Sequence, residues 1–213
     1  MSTKTRRRRP EARPDEILDA ALSVFVEQGF TAARVEDIAK RAGLSKGAVY
    51  LYFPSKEAML KALVEQSAGA LAKAAERLIS VGAPRDPEAA LRGVIFMMIT
   101  AMTDPDISAA PRLVLTEAHR FPDIAAHYRD QVLETARRAI ETLAADGVEA
   151  GTFRPVDADM LMRCIGGPCL GHMMLASAFD FHPKNLREPV DVADALSDLL
   201  LHGLKPREDA RCD

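Results

Sequence analysis

Apolar residues along this chain recur three and four positions apart, and a sustained alternation of the kind that makes a strand is absent. Ile17, Leu18, Ala21, Leu22 and Phe25 share one face of a helix that Pro14 opens and Gly29 ends. Val35–Ala42 reads as a short second helix stopped by Gly43. Ser45 is placed to cap a third helix through Phe53, which Pro54 breaks. Ser55 caps a long fourth helix towards Val81, with Lys56 and Glu57 in its first turn. Asp86-Pro87 and Asp104-Pro105 each restart the chain as a cap followed by a first-turn proline. Helices are therefore expected near 86–102, 105–120 and 122–149, with Pro111 bending or splitting the middle one. A helix over 157–181, kinked at Gly166-Gly167-Pro168, and a last one over 190–203 complete an all-α chain of about nine helices.

Composition narrows the class. With 213 residues, 48% hydrophobic and 28% charged, the chain can bury a sizeable core in one or two units. The charge-free runs 93–103 and 165–179 fall short of the roughly 18 residues that span a bilayer, and no apolar stretch follows the basic N-terminus as a signal peptide requires. A soluble, cytoplasmic protein with no membrane partner is expected. Cys164, Cys169 and Cys212 make no disulfide framework, and Cys164 and Cys169 are too far apart for a CxxC pair. The histidines are scattered without metal-ligand spacing, so neither metal nor cofactor is expected. Net charge is −3 but divides unevenly, +4 over residues 1–56 and −7 over 57–213. That asymmetry suits a chain whose head alone meets phosphates, although a charge run is also what any solvated face shows.

The informative stretch is Val35 to Phe53. Two short helices meeting steeply need a small residue at closest approach, which Ala39 supplies, and a turn tolerant of positive φ, which Gly43 supplies. Ile38, Ala42, Leu44, Val49 and Tyr52 are placed to face the first helix. Ser45 caps the second limb and turns its free N–H groups outward, where Lys46 joins them. In such a helix-turn-helix the second limb enters the major groove. Gly47 allows close approach, Ala48 can touch a thymine methyl, Lys46, Tyr50 and Lys56 are candidate phosphate contacts, and Ser45, Leu51 and Tyr52 complete the set expected at the DNA. Leu51 sits where a polar base reader would serve, so direct readout is modest and half-site spacing and DNA shape must add specificity. The competing reading is an ordinary helical hairpin in which Tyr50, Tyr52 and Phe53 are core.

These residues, Phe25-Val26-Glu27-Gln28-Gly29-Phe30, then Val35 to Ala42, then Gly43-Leu44-Ser45-Lys46-Gly47-Ala48-Val49-Tyr50-Leu51-Tyr52-Phe53 with Ser55-Lys56-Glu57, resemble the N-terminal domain of TetR/AcrR-type repressors over residues 14–62. The resemblance implies a repressor that grips double-stranded operator DNA as a homodimer and lets go when a small-molecule effector fills a C-terminal pocket. It implies a disordered basic arm (1–13), a helix-turn-helix domain (14–56), a ligand-binding and dimerisation domain (57–205) and a tail (206–213). Where the family carries Ser or Thr before the second helix, this chain has Ala33-Arg34, so Arg34 is expected to replace a cap with a charged phosphate contact. The Arg6–Arg9 run is either a minor-groove arm or a solvated tail.

The resemblance also implies a cavity in the body, and Phe96, Met97, Met102, Leu113, Glu117 and Phe121 are its candidate lining for a largely apolar effector, although methionine stripes are more often plain core. The last two helices are the expected dimer contact. Two other classes remain to be weighed. An enzyme is disfavoured because no nucleophile elbow, phosphate loop or paired-carboxylate site appears. A helical adaptor would show no steep salt dependence, whereas phosphate-driven binding would.

Overall fold

The computed structural model describes residues 13–185 and 188–206. The expected arm up to residue 12, with Arg6–Arg9, and nearly all of the tail, with Cys212, lie outside the described residues, and Arg13 opens the first helix. What is described is helical throughout, without a strand. The order is α1 (Arg13–Gln28), α2 (Val35–Ala42), α3 (Lys46–Tyr50), α4 (Lys56–Val64), α5 (Ala70–Gly82), α6 (Pro87–Thr103), α7 (Pro105–Glu117), α8 (Pro122–Tyr128), α9 (Glu134–Glu149), α10 (Ala158–Phe179) and α11 (Pro189–Leu204). A single π-helical turn joins α4 to α5 (Glu65–Gly69) and another joins α8 to α9 (Arg129–Leu133), so the described chain makes nine continuous helical runs. None is long and apolar enough to cross a membrane.

The helix starts follow the caps. Asp86, Asp157, Ser45 and Ser55 each accept a hydrogen bond from a first-turn N–H, and Asp104 Oδ1 takes those of Asp106 and Ile107. Two expectations change. The third helix stops at Tyr50 rather than Phe53, and α7 is not split, because it runs unbroken through the buried Pro111. Proline deletes one helical hydrogen bond, and the surrounding turns still hold that helix together.

Two compact units form. The first takes the chain up to Gln66 together with Ala109–Tyr128; the second takes Ser67–Ser108 and the chain from Arg129 onward. Within the first unit α4 packs on α1 and α8 on α4. Ile17, Leu18, Val24, Phe25, Phe30, Ile38, Met59 and Leu60 are essentially without solvent contact in the first unit. In the second, α6 lies among α5, α9, α10 and α11, with Leu91, Ile95 and Ile99 at the centre of its core. Arg92 is paired with Asp198 at 2.6 Å, and Arg154 donates to the carbonyls of Gly203 and Leu204 at the end of α11. Gly147 is dictated by a close approach: a Cβ there would lie 2.0 Å from the Phe153 ring.

Candidate nucleic-acid interface

The first unit is built around the turn between α2 and α3. Gly43 takes the left-handed conformation at φ 67°, and its N–H and that of Leu44 return to Lys40 O (3.2 Å) and Ala39 O (2.9 Å). This closes α2 and swings the chain into α3. Ile38 and Ala39 from α2 and Val49 from α3 are buried, which fixes one face of each limb inward. Leu44 and Ala42 are half-buried, and Tyr52, expected inside, is exposed. The regular helix ends at Tyr50, although the N–H groups of Tyr52 and Phe53 still return to the Val49 carbonyl.

The opposite face of α3 is open. Tyr50 is 43% and Leu51 84% exposed, Lys46 is exposed, and a Cβ added at Gly47 would meet nothing within 4 Å. Nothing inside the fold therefore requires glycine at 47. Ser45 caps the helix by accepting from Ala48 N–H at 3.2 Å, as expected. Arg34 precedes α2 without a side-chain cap and is exposed; its carbonyl accepts from the Asp37 and Ile38 N–H groups, while its side chain makes no hydrogen bond or ion pair among the described residues. Lys46, Tyr50, Leu51 and Arg34 thus remain available to a partner. Lys46 Nζ stands 5.8 Å from the centre of the Tyr50 ring and donates to Glu36 Oε1. That hydrogen bond holds the Glu36 carboxyl below its ordinary range and raises the Lys46 ammonium.

Lys56 has a different place from the one its sequence position suggested. Its ammonium donates to three carbonyls of the α1–α2 turn, Phe30 O at 2.7 Å, Thr31 O at 3.0 Å and Ala33 O at 3.3 Å, and lies 4.8 Å from the centre of the Phe30 ring. An ammonium has three donors, and here all three are used. It is a tie that shapes the turn leading into α2. Arg41 is similarly committed, donating to both carboxylate oxygens of Glu27 at 2.5 Å and to Ser23 Oγ, which locks α2 to α1. Neither Glu36 nor Glu27 was singled out in the sequence, because their partners lie 10 and 14 residues away, beyond helical spacing.

The candidate pocket residues separate. Phe121 stands edge-on to Phe30 at 4.9 Å between ring centres, and Glu117 accepts from the Thr31 hydroxyl at 3.4 Å. Both belong to the first unit and touch the α1–α2 turn. In the second unit Met97 packs half-buried on the core and Met102 is buried. Phe96, 46% exposed, points away from the face that Ile95 and Ile99 bury; Leu113 is half-buried on α7. Cys169 is sealed and burial pushes its thiol to about 12, which leaves it inert at neutral pH. No described group of three His, Cys, Asp or Glu side chains is arranged to hold a metal.

Comparison with known proteins agrees with this geometry. Residues 17–63 match the family model described as bacterial regulatory proteins, tetR family, and residues 85–193 match the tetracyclin repressor-like C-terminal domain. The uncharacterized HTH-type transcriptional regulator YfiR of Bacillus subtilis is 40% identical over 65 residues, 30% of this chain and only 32% of that protein. The HTH-type transcriptional repressor NicS of Pseudomonas putida is 29% identical over 95% of this chain and 97% of its own. A crystal structure of FadR from Bacillus subtilis in complex with stearoyl-CoA shares the fold, with TM-score 0.69 and 21% identity, over 89% of this chain and 98% of that one. An exposed α3 on a glycine-hinged pair, with both halves of the chain matched, leaves one assignment: the protein belongs to the tetR family of bacterial regulatory proteins, transcriptional regulators with a helix-turn-helix DNA-binding domain.

Proposed function

We propose that this protein is a ligand-responsive repressor that binds double-stranded operator DNA as a homodimer and is released by a small, largely apolar molecule. The observation that carries the reading is the contrast across α3: Val49 is wholly buried, while Lys46, Tyr50 and Leu51 stand in solvent. A helix pinned by one residue and bare on its other face is suited to a groove. Lys46, Tyr50 and Arg34 contact phosphates, Ala48 meets a thymine methyl, and Gly47 lets the helix come close. Lys56 acts from behind by shaping the turn. With no Arg, Asn or Gln on α3, the spacing of the two heads and DNA shape carry much of the sequence choice.

The homodimer draws support from the outer faces of α10 and α11, where Met160, Met174, Leu175, Phe179 and Leu199 are exposed in a single chain. An apolar effector draws support from the stearoyl-CoA of the B. subtilis FadR complex, and from the half-buried, adaptable Met97, Met98 and Met162 of the second unit. Repression, rather than activation, follows the naming of NicS.

The test begins with duplexes that the purified protein itself selects from a random pool. Steep weakening of binding between about 50 and 200 mM salt is expected, together with a dimer mass by light scattering. Addition of fatty acids and acyl-CoAs of graded chain length is expected to release the selected duplex. Salt-insensitive binding would favour the adaptor reading instead, and a duplex retained across the whole acyl series would remove the apolar effector.

A further inference from the structure

Three cations of the head face carboxylates or carbonyls, and they differ in how firmly they are held. Lys56 spends its three donors on the backbone, and Arg41 is gripped by both Glu27 oxygens and by Ser23. Lys46 has one acceptor, Glu36, in a pair that is about half-exposed on both sides, 49% for the lysine and 56% for the glutamate. Such exposed pairs open at little cost. Glu36 lies in the first turn of α2, and Lys46 opens α3 on the face that Val49 leaves outward. A single carboxylate therefore occupies the ammonium that a DNA phosphate would use.

We propose that Glu36 is a built-in competitor for DNA phosphate at Lys46, which lowers the sequence-independent part of the head's affinity. The inference rests on the DNA-binding reading above. A phosphate drawn to Lys46 while Glu36 remains there would set two anions within a few ångströms of one another, so the carboxylate must give way. Its departure leaves an unpaired charge beside the duplex, which gathers cations and offsets part of the counterion release that Lys46 would otherwise drive. Glu36 also attracts the exposed Arg34, but without a hydrogen bond, so the restraint there is weaker than at Lys46.

The experiment measures affinity of the full chain for a fluorescently labelled, random-sequence 30-base-pair duplex across about 50–200 mM KCl. Glu36→Gln is expected to tighten binding by roughly two- to fivefold per engaged head, the span of an exposed ion pair, and to steepen the salt slope by up to about 0.9. In a Lys46→Ala background the same substitution is expected to lose most of its effect, since the competed ammonium is gone. Glu36→Asp keeps the charge but shortens the reach, and is expected to fall between wild type and Glu36→Gln. Circular dichroism checks that each variant is folded. Unchanged affinity and slope in Glu36→Gln, with wild type binding normally, would overturn the competitor while leaving the DNA-binding reading intact. An equal gain with and without Lys46 would also overturn it, by reducing Glu36 to general repulsion. Absence of salt-dependent binding by wild type would remove the reading itself, and this inference with it.

Discussion

Two turns of the same head, one on each side of α2, have opposite characters. The turn into α3 is bare: Lys46, Tyr50 and Leu51 face solvent, and a Cβ at Gly47 would touch nothing. The turn into α2 is saturated. Phe30 is sealed between Phe25 and Phe121, both edge-on near 5 Å, and Lys56 fills the carbonyls around it. Lys46 and Lys56 lie ten residues apart and carry the same chemistry, yet one is a candidate contact and the other a structural tie. What separates them is the number of acceptors within reach. An ammonium whose donors are all satisfied by backbone carbonyls gains little from leaving them.

That contrast can be broken by mutation, with the largest effects expected at the saturated turn. Phe30→Ala empties a site with no solvent contact and is expected to cost about 3–5 kcal/mol, read by urea unfolding. Lys56→Met keeps the alkyl stem and removes the ammonium, stranding three carbonyls; a loss of about 2 kcal/mol is expected by the same measurement. If Lys56→Met instead left stability untouched and flattened the salt slope of duplex binding, the two lysines would be alike and the contrast would fail. Tyr50→Ala and Lys46→Ala belong to the bare turn. Each is expected to weaken a selected duplex roughly tenfold or more, with stability within about 0.5 kcal/mol of wild type. Ser45→Ala, the smallest change, sharpens the boundary between the two classes: loss of the cap is expected to cost about 1 kcal/mol and to loosen α3 on DNA at the same time.

The helices and the site differ in how far they could be read from residues. Local signals carried the starts of α6, α7 and α10, because Asp86, Asp104 and Asp157 bond to N–H groups two or three residues onward. The glycine hinge and the cap of α3 were legible for the same reason. The end of α3 was not, since no breaker stands between Tyr50 and Pro54, and Tyr52, whose spacing turns it towards the first helix, is exposed. Glu117 and Phe121 lie against Thr31 and Phe30, 86 and 91 positions away in the chain, contacts that no local spacing signals.

The amino-acid sequence alone determined the helical class and the hinged pair, because each depends on bonds and periodicities spanning a few residues. Tertiary structure alone decided which cations stay free. Whether Lys46 answers to Glu36, Lys56 to the α1–α2 carbonyls, or Arg41 to Glu27 depends on elements brought together by packing, and a charge acquires its role only from the acceptors that packing sets within about 3 Å.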